Sequence, residues 1–329
     1  MIIEDKPIKN VNGWWSDRVK RFFKDQNMTW PFLNENYKSL SNTKTRSFDF
    51  GNCKIQVQYN PGRIKSSAAQ VNKEAIDSRK CFLCLNNLPS EQNGLRYDKK
   101  FIILCNPYPI FDEHLTIVNK KHTEQTIIGH FDDILNISRD LGKYYSVYYN
   151  GPRCGASAPD HMHFQAGMKN QTPLENEYEE LKNSEKLFML STSKIQIRFF
   201  ENHLRYFLVI ESGSKGEILY AFKTFVKAFK MISVPKEEPM MNLSALFDKD
   251  NWRVVLFPRH KHRPSQFYSP EGKKLLISPA AVDLSGLVIV PREEDFERIT
   301  REDIADIFKQ VSITKEYFEY LKKKLSEVF

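Results

Sequence analysis

The sequence reads as an α+β protein, and three observations carry that reading. Short segments alternate apolar and polar residues with the period of a β-strand, as in Lys54 to Tyr59, KIQVQY. Longer segments place apolar residues at helical spacing, as in Thr126 to Leu141 and Asp303 to Val328. Finally, the order of strands and helices in the first half of the 329-residue chain recurs in the second half.

In chain order, residues 1–50 form a helical lead-in, with Trp14, Trp15, Val19, Phe22 and Phe23 on one helical face. The strand Lys54 to Tyr59 ends in the turn signal Asn60-Pro61-Gly62. The loop that follows carries Arg63, Lys65, Ser66 and Ser67. Arg63 is its candidate substrate contact, because a guanidinium suits a phosphate. Cys81-Phe82-Leu83-Cys84 is either a metal knuckle or a redox pair. A redox pair is expected to open a helix, whereas Asn86, Asn87, Pro89 and Ser90 indicate a loop. With no second CxxC in the chain, histidines have to complete any metal site.

The strand FIILC, Phe101 to Cys105, leads to Asn106, a candidate substrate contact, and then to a strand beginning at His114 and running up to Lys120-Lys121-His122. The helix over Thr126 to Leu141 stops at Gly142, and the aromatic strand Tyr144 to Tyr149 ends at Asn150-Gly151. Next comes CGASAPDHMHFQAGM, Cys154 to Met168. On a β-strand, His161, His163 and Gln165 project to one face, and Met162, Phe164 and Ala166 to the apolar side. The small residues Gly155, Ala156, Ser157 and Ala158 let backbone N–H groups approach an anion.

Gly-Ala-Ser, a proline and His-x-His-x-Gln resemble the histidine-triad superfamily, in the branch where glutamine replaces the third histidine. That branch holds galactose-1-phosphate uridylyltransferase, diadenosine tetraphosphate phosphorylase and the GDP-hexose phosphorylases. Asp160, between the proline and the first histidine, is one residue more than the uridylyltransferase signature has. His163-Phe164-Gln165-Ala166 and the segment Ser278 to Gly286, SPAAVDLSG, look most like the GDP-hexose phosphorylases.

The resemblance implies a histidine-triad-like antiparallel sheet with flanking helices, duplicated, with a catalytic half over 51–187 and a degenerate half over 188–329. It implies a nucleotidyl-His163 intermediate, with Gln165 beside it as a hydrogen-bonding amide. Asn150, Gly155 and Ser157 are implied as phosphate contacts. A structural zinc is implied on Cys81, Cys84, His122 and His161, with His114 the other candidate ligand. The expected function is a nucleotidyltransferase of the phosphorylase type, with GDP-hexose as the favoured donor. A dinucleotide phosphorylase or a sugar-1-phosphate nucleotidylyltransferase is the alternative. A histidine-triad hydrolase and a non-catalytic nucleotide or zinc-binding module are the further ones. The expected partners are a nucleotide or nucleotide sugar together with inorganic phosphate or a sugar phosphate.

In the second half, strands are expected at Lys194 to Phe200, Leu204 to Ile210, Met241 to Phe247 and Trp252 to Pro258, with a helix at Glu217 to Ile232. A charged helix over Pro173 to Leu187 connects the halves. Laying NWRVVLFPRH on DHMHFQAGMK puts Trp252, Val254 and Leu256 at the triad positions. The basic loop Arg259 to Arg263 offers a further phosphate contact in Arg259 or Lys261.

The net charge of +8 suits an anionic ligand, while the lysines are too scattered for a nucleic-acid module. Met1 to Asn10 lacks the apolar core of a signal peptide, and no apolar run reaches membrane-spanning length. Five cysteines, an odd number, point to a reducing cytoplasm rather than a disulfide framework. A monomer or homodimer is expected.

Overall fold

The computed structural model describes residues 1–4, 13–184 and 187–329. Parts of the N-terminal stretch and of the connector helix therefore lie outside the described residues. The strands, in chain order, are β1 (Ile2–Ile3), β2 (Lys44–Asp49), β3 (Lys54–Tyr59), β4 (Gly94–Arg96), β5 (Phe101–Cys105), β6 (His114–Asn119), β7 (Tyr145–Asn150), β8 (His163–Met168), β9 (Phe188–Ser191), β10 (Gln196–Phe200), β11 (Phe207–Ser212), β12 (Met241–Asp248), β13 (Asn251–Pro258) and β14 (Leu287–Val290). Eleven of them form one sheet in the order β1-β4-β5-β6-β8-β7-β12-β13-β11-β10-β9. Apart from β1, which runs parallel to β4, its neighbours are antiparallel.

Read outward from its centre, the sheet runs β7-β8-β6-β5-β4 on one side and β12-β13-β11-β10-β9 on the other. Each side takes its strands in the same chain order, with a helix before the central strand: Phe131–Leu141 before β7 and Lys215–Lys230 before β12. The duplication is therefore visible as topology, and the β7–β12 pairing is its seam.

One face of the sheet packs on helices. Val19, Phe22 and Phe23 of Trp14–Thr29, Ile134 and Leu135 of Phe131–Leu141, Phe222 and Phe225 of Lys215–Lys230, and Phe318 and Leu321 of Lys315–Ser326 share a single apolar core with the sheet. Phe164 and Ala166 of β8 and Trp252, Val254 and Leu256 of β13 face this core. The opposite face meets a three-stranded sheet, β14-β3-β2, in which Val57 and Val288 pack on Val255 and Phe257 of β13.

The second-half alignment is corrected here. Trp252, Val254 and Leu256 lie on the helix-covered face with Phe164, not on the face of His163. The residues that face as His163 and Gln165 do are Arg253, Val255 and Phe257. A strand has a side-chain period of two, so laying the segments one residue out of step exchanges the faces.

Several boundaries also differ from expectation. The lead-in breaks at Trp30 into Trp14–Thr29 and Pro31–Lys38, as proline at the first helical position favours. The helix expected from Thr126 starts at Phe131, because Glu238 binds the Thr126 hydroxyl and the Ile127 N–H and holds that stretch as a loop. The last helix is two, Arg301–Val311 and Lys315–Ser326. Ser312 bridges Arg259 between them, and the Thr314 hydroxyl caps the second. No helix among the described residues is long and apolar enough to cross a membrane.

Candidate active site

His163 opens β8 beneath the face that the helices leave free, and only 4% of its surface is exposed. Its Nδ1 lies 2.8 Å from the carbonyl oxygen of His161. A carbonyl only accepts, so Nδ1 carries the proton and Nε2 keeps its lone pair. Burial lowers the imidazole pKa to about 4, which keeps it neutral at pH 7. The ring therefore meets the requirement for a nitrogen nucleophile: unprotonated, and fixed in tautomer and direction.

Gln125, in the loop before the helix Phe131–Leu141, holds the histidine's backbone. Its Oε1 accepts from the His163 N–H at 2.8 Å, and its Nε2 donates to the carbonyls of His163 at 3.0 Å and Asn150 at 2.9 Å. Nothing in the stretch HTEQT distinguishes this glutamine from a solvent-facing loop residue.

His163 and Gln165 open onto a cavity of about 380 Å³. Asn106, Arg63, Ser157 and Thr116 supply its polar wall. Its apolar wall is Trp30, Phe32, Phe82, Leu83 and Tyr108. Phe32 and Tyr108 meet edge to face at 6.0 Å between ring centroids. The lead-in thus contributes two aromatic walls. It also braces Asn106, because Tyr37 donates its hydroxyl to the Asn106 carbonyl at 3.1 Å. The helical pattern of residues 14–23 carries no sign of this use.

Asn106 donates from Nδ2 to Thr116 at 3.2 Å and accepts the Tyr108 N–H at its Oδ1, so its amide is largely satisfied within the wall. Arg63 donates from Nη1 to the Tyr108 carbonyl at 2.7 Å. Gly155 has φ +84°, and a Cβ there would lie 2.8 Å from both Pro279 O and Ala280 Cβ. Only glycine allows that turn and that approach together.

Asn150 sits at the end of β7. Its Oδ1 accepts from the Ala281 N–H and from Asn242 Nδ2, each at 2.8 Å. The Ala281 N–H can only donate, which fixes the amide with Oδ1 towards Ala281 and leaves the Nδ2 protons unused; Asn150 and Gly155 do not line the aromatic cavity but border a smaller polar one beside it. Asn242 in turn accepts from Arg259 Nη1 at 2.6 Å. Arg259 is buried. It spends its remaining donors on the carbonyls of Val311, Pro279, Lys261 and His262. The phosphate contact considered for Arg259 is therefore corrected: its guanidinium is consumed in holding the C-terminal segment. Lys261 is exposed and bonds Gln310, away from the cavity.

A second group lies behind His163. The nearest donor atoms of Cys81, Cys84, His122 and His161 all lie within 4.8 Å of one another. Cys81 Sγ stands 3.3 Å and Cys84 Sγ 3.7 Å from His161 Nδ1, and Cys84 Sγ is 3.2 Å from His122 Nδ1. Tetrahedral coordination with ordinary Zn–S and Zn–N lengths puts sulfur and nitrogen about 3.5 Å apart, so the quartet fits a metal ion. His161 Nε2 lies 2.7 Å from the Asn119 carbonyl, the outer hydrogen bond that orients a ligating imidazole. His161 precedes β8 and turns into this group instead of lining the cavity with His163 and Gln165. Asp160, the extra residue of the motif, pairs with Arg79 at 2.5 Å and so ties the cysteine loop to the histidine loop. His114 is not part of the group. It is fully buried, its Nδ1 accepts the Ile110 N–H, and burial depresses its pKa to about 3.

No curated protein matches the sequence. Residues 22–168 match the family model of a domain of unknown function, DUF4922, and residues 178–329 match the GDPGP1-like C-terminal domain. Among solved structures, yeast Ap4A phosphorylase Apa2 in complex with AMP aligns at a TM-score of 0.53 and 14% identity, over 86% of this chain and 95% of that one. The same yeast enzyme in complex with Ap4A gives 0.50 and 15%, over 87% and 97%. A GalT-like protein from Arabidopsis thaliana matches at 0.39 and 13%, over 82% and 99%. The chain thus carries a GDPGP1-like C-terminal domain over residues 178–329 and shares the fold of the yeast Ap4A phosphorylase.

Proposed function

We propose that the chain is a nucleoside diphosphate sugar phosphorylase working through a nucleotidyl-His163 intermediate, with a GDP-hexose as donor. The single observation that carries the reading is the free, neutral Nε2 of His163, aimed by the His161 carbonyl and flanked by Gln165. In the first step Nε2 attacks the α-phosphorus of the donor. The P–O bond to the hexose 1-phosphate breaks, and that oxygen leaves with the electron pair. In the second step an oxygen of orthophosphate attacks the same phosphorus, the P–N bond breaks, and a nucleoside diphosphate forms. Neither leaving group needs a proton at pH 7, which suits a glutamine where a hydrolase has a third histidine. The Asn150 amide and the backbone N–H groups around Gly155 and Ser157 hold the equatorial oxygens.

The lean towards GDP-hexose rests on the His-Phe-Gln-Ala wording, the Ser278 to Gly286 segment and the GDPGP1-like match of the C-terminal domain. The fold shared with the yeast Ap4A phosphorylase favours a second reading, phosphorolysis of diadenosine tetraphosphate. In either case zinc on Cys81, Cys84, His122 and His161 is structural, since four protein ligands fill a tetrahedron. Nucleoside diphosphate sugars and dinucleoside polyphosphates, incubated with and without phosphate and read by mass spectrometry, test the assignment. Phosphate-dependent GDP from a GDP-hexose is the expected result, and ADP from diadenosine tetraphosphate selects the second reading. Nucleoside monophosphate formed equally well without phosphate overturns both.

A further inference from the structure

Beside the aromatic cavity lies a smaller, polar one, sharing with it Arg63, Ser66, Ser157 and Gln165. Its remaining polar wall comes from Ser67, Asn150, Ser278 and Asp283. Hydrogen-bond donors without protein partners dominate it. Among the described residues, the hydroxyls of Ser66, Ser67 and Ser157 bond to nothing. Ser278 accepts from Arg263 Nε at 3.0 Å, which leaves its own proton to donate. The Nε of Arg63 is buried with no partner. Asp283 is the carboxylate of this wall. Its two oxygens already accept the N–H groups of Ile289 and Ala280, at 2.9 and 2.8 Å, and it stands as counter-ion to Arg63. Converging unpaired donors around a guanidinium have the chemistry of a phosphate receptor.

The two-step displacement at a single histidine adds a constraint. The leaving group departs from the side of phosphorus opposite Nε2, and the acceptor must return to that same side. One anion site therefore serves both groups. The aromatic cavity suits the nucleoside, and Ser157 and Gln165, shared by both cavities, mark the α-phosphate between them.

We propose that the polar cavity seats this second anion, an orthophosphate or the phosphate end of a hexose 1-phosphate, and that Ser67 and Ser278 are specificity-determining donors to it. The proposal rests on the nucleotidyl-transfer reading for the direction of the reaction. It gives the second half of the chain, through Ser278, a place in substrate selection.

The experiment uses the full chain with Ser67→Ala and Ser278→Ala. Each variant loses one hydrogen bond to a charged group, so KM for orthophosphate should rise about ten-fold. The KM for glucose 1-phosphate in the reverse direction should rise in step, while affinity for a nucleoside monophosphate, which stops at the α-phosphate, stays unchanged. An unmoved phosphate KM in both variants overturns the proposal, as does an equal loss of nucleoside monophosphate binding. If the wild-type chain forms no nucleotidyl adduct with any donor, the transfer reading fails, and the site is tested without it. Orthophosphate and glucose 1-phosphate are then titrated separately in thermal melts. Protection by either one that is lost in both variants supports the anion site, and protection by neither overturns it.

Discussion

Asn242 donates to Asn150 across the β7–β12 seam at 2.8 Å, and the two residues are also register partners in the sheet. A side chain of the second half thus helps the Ala281 N–H to hold an amide of the first half in place. Asn242→Asp keeps an acceptor for Arg259 but presents an oxygen to Asn150 Oδ1 where a donor stood. The Ala281 N–H still fixes the sense of the Asn150 amide, so the facing oxygens displace that amide rather than flip it, and nucleoside monophosphate affinity should fall about ten-fold, in keeping with one weakened hydrogen bond to a charged group. Asn242→Leu instead leaves Arg259 with a bond unmade in the interior, and should cost about 3 kcal/mol of stability. Titration calorimetry and urea melts on both variants check the split. Equal stability loss with unchanged affinity in Asn242→Asp would remove that holding role.

A covalent role for His163 makes a separate prediction. His163→Ala should abolish transfer and the covalent adduct while leaving the metal and the fold in place, because the quartet uses His161 and not His163. Gln165→His should still form the adduct but yield more nucleoside monophosphate, since an imidazole can take a proton from water and an amide cannot. Near-normal turnover in His163→Ala contradicts a covalent step at this residue.

Much of this was legible in the sequence, for a physical reason. Alternation marks a half-buried strand, so β3 and β8 stand out, a short unbroken apolar run marks β5 as fully buried, and a CxxC with no redox context leaves metal as the natural use. What is not legible depends on distant pairing. Arg259 looks like a free phosphate contact until Val311, Pro279 and Asn242 are seen around it. Gln125 is one polar loop residue among many until it closes on His163. Trp30 and Phe32 look like ordinary core residues of the lead-in, yet they wall the cavity. The face of β13 was misread because a one-residue offset in the alignment preserves the apolar character of that strand while exchanging its sides.

The metal prediction is that purified protein carries about one zinc per chain. Cys84→Ser should lose the metal and lower the melting temperature. It should also reduce adduct formation, because the His161 carbonyl that holds His163 Nδ1 belongs to a ligand residue. Elemental analysis of protein prepared without chelators gives the answer, and a metal-free yet fully active chain contradicts the site.

Gly155 supplies a prediction with an internal control. Its φ of +84° nearly equals the +85° of Gly51, so alanine meets the same backbone strain at both positions, about 1 kcal/mol. The neighbours differ. A Cβ at Gly51 has nothing within 4 Å, whereas at Gly155 it lies 2.8 Å from Pro279 O and from Ala280 Cβ. Those two atoms belong to the segment whose Ala281 N–H fixes the Asn150 amide. Gly155→Ala must push that segment away, and it should cost about 1–3 kcal/mol more than Gly51→Ala, the range for overpacking a close contact. It should also weaken nucleoside monophosphate binding, which Gly51→Ala leaves intact. Urea midpoints and binding isotherms on the two variants decide the matter. Equal costs with unaltered binding would mean that the Gly155 loop and the 279–281 segment do not depend on each other.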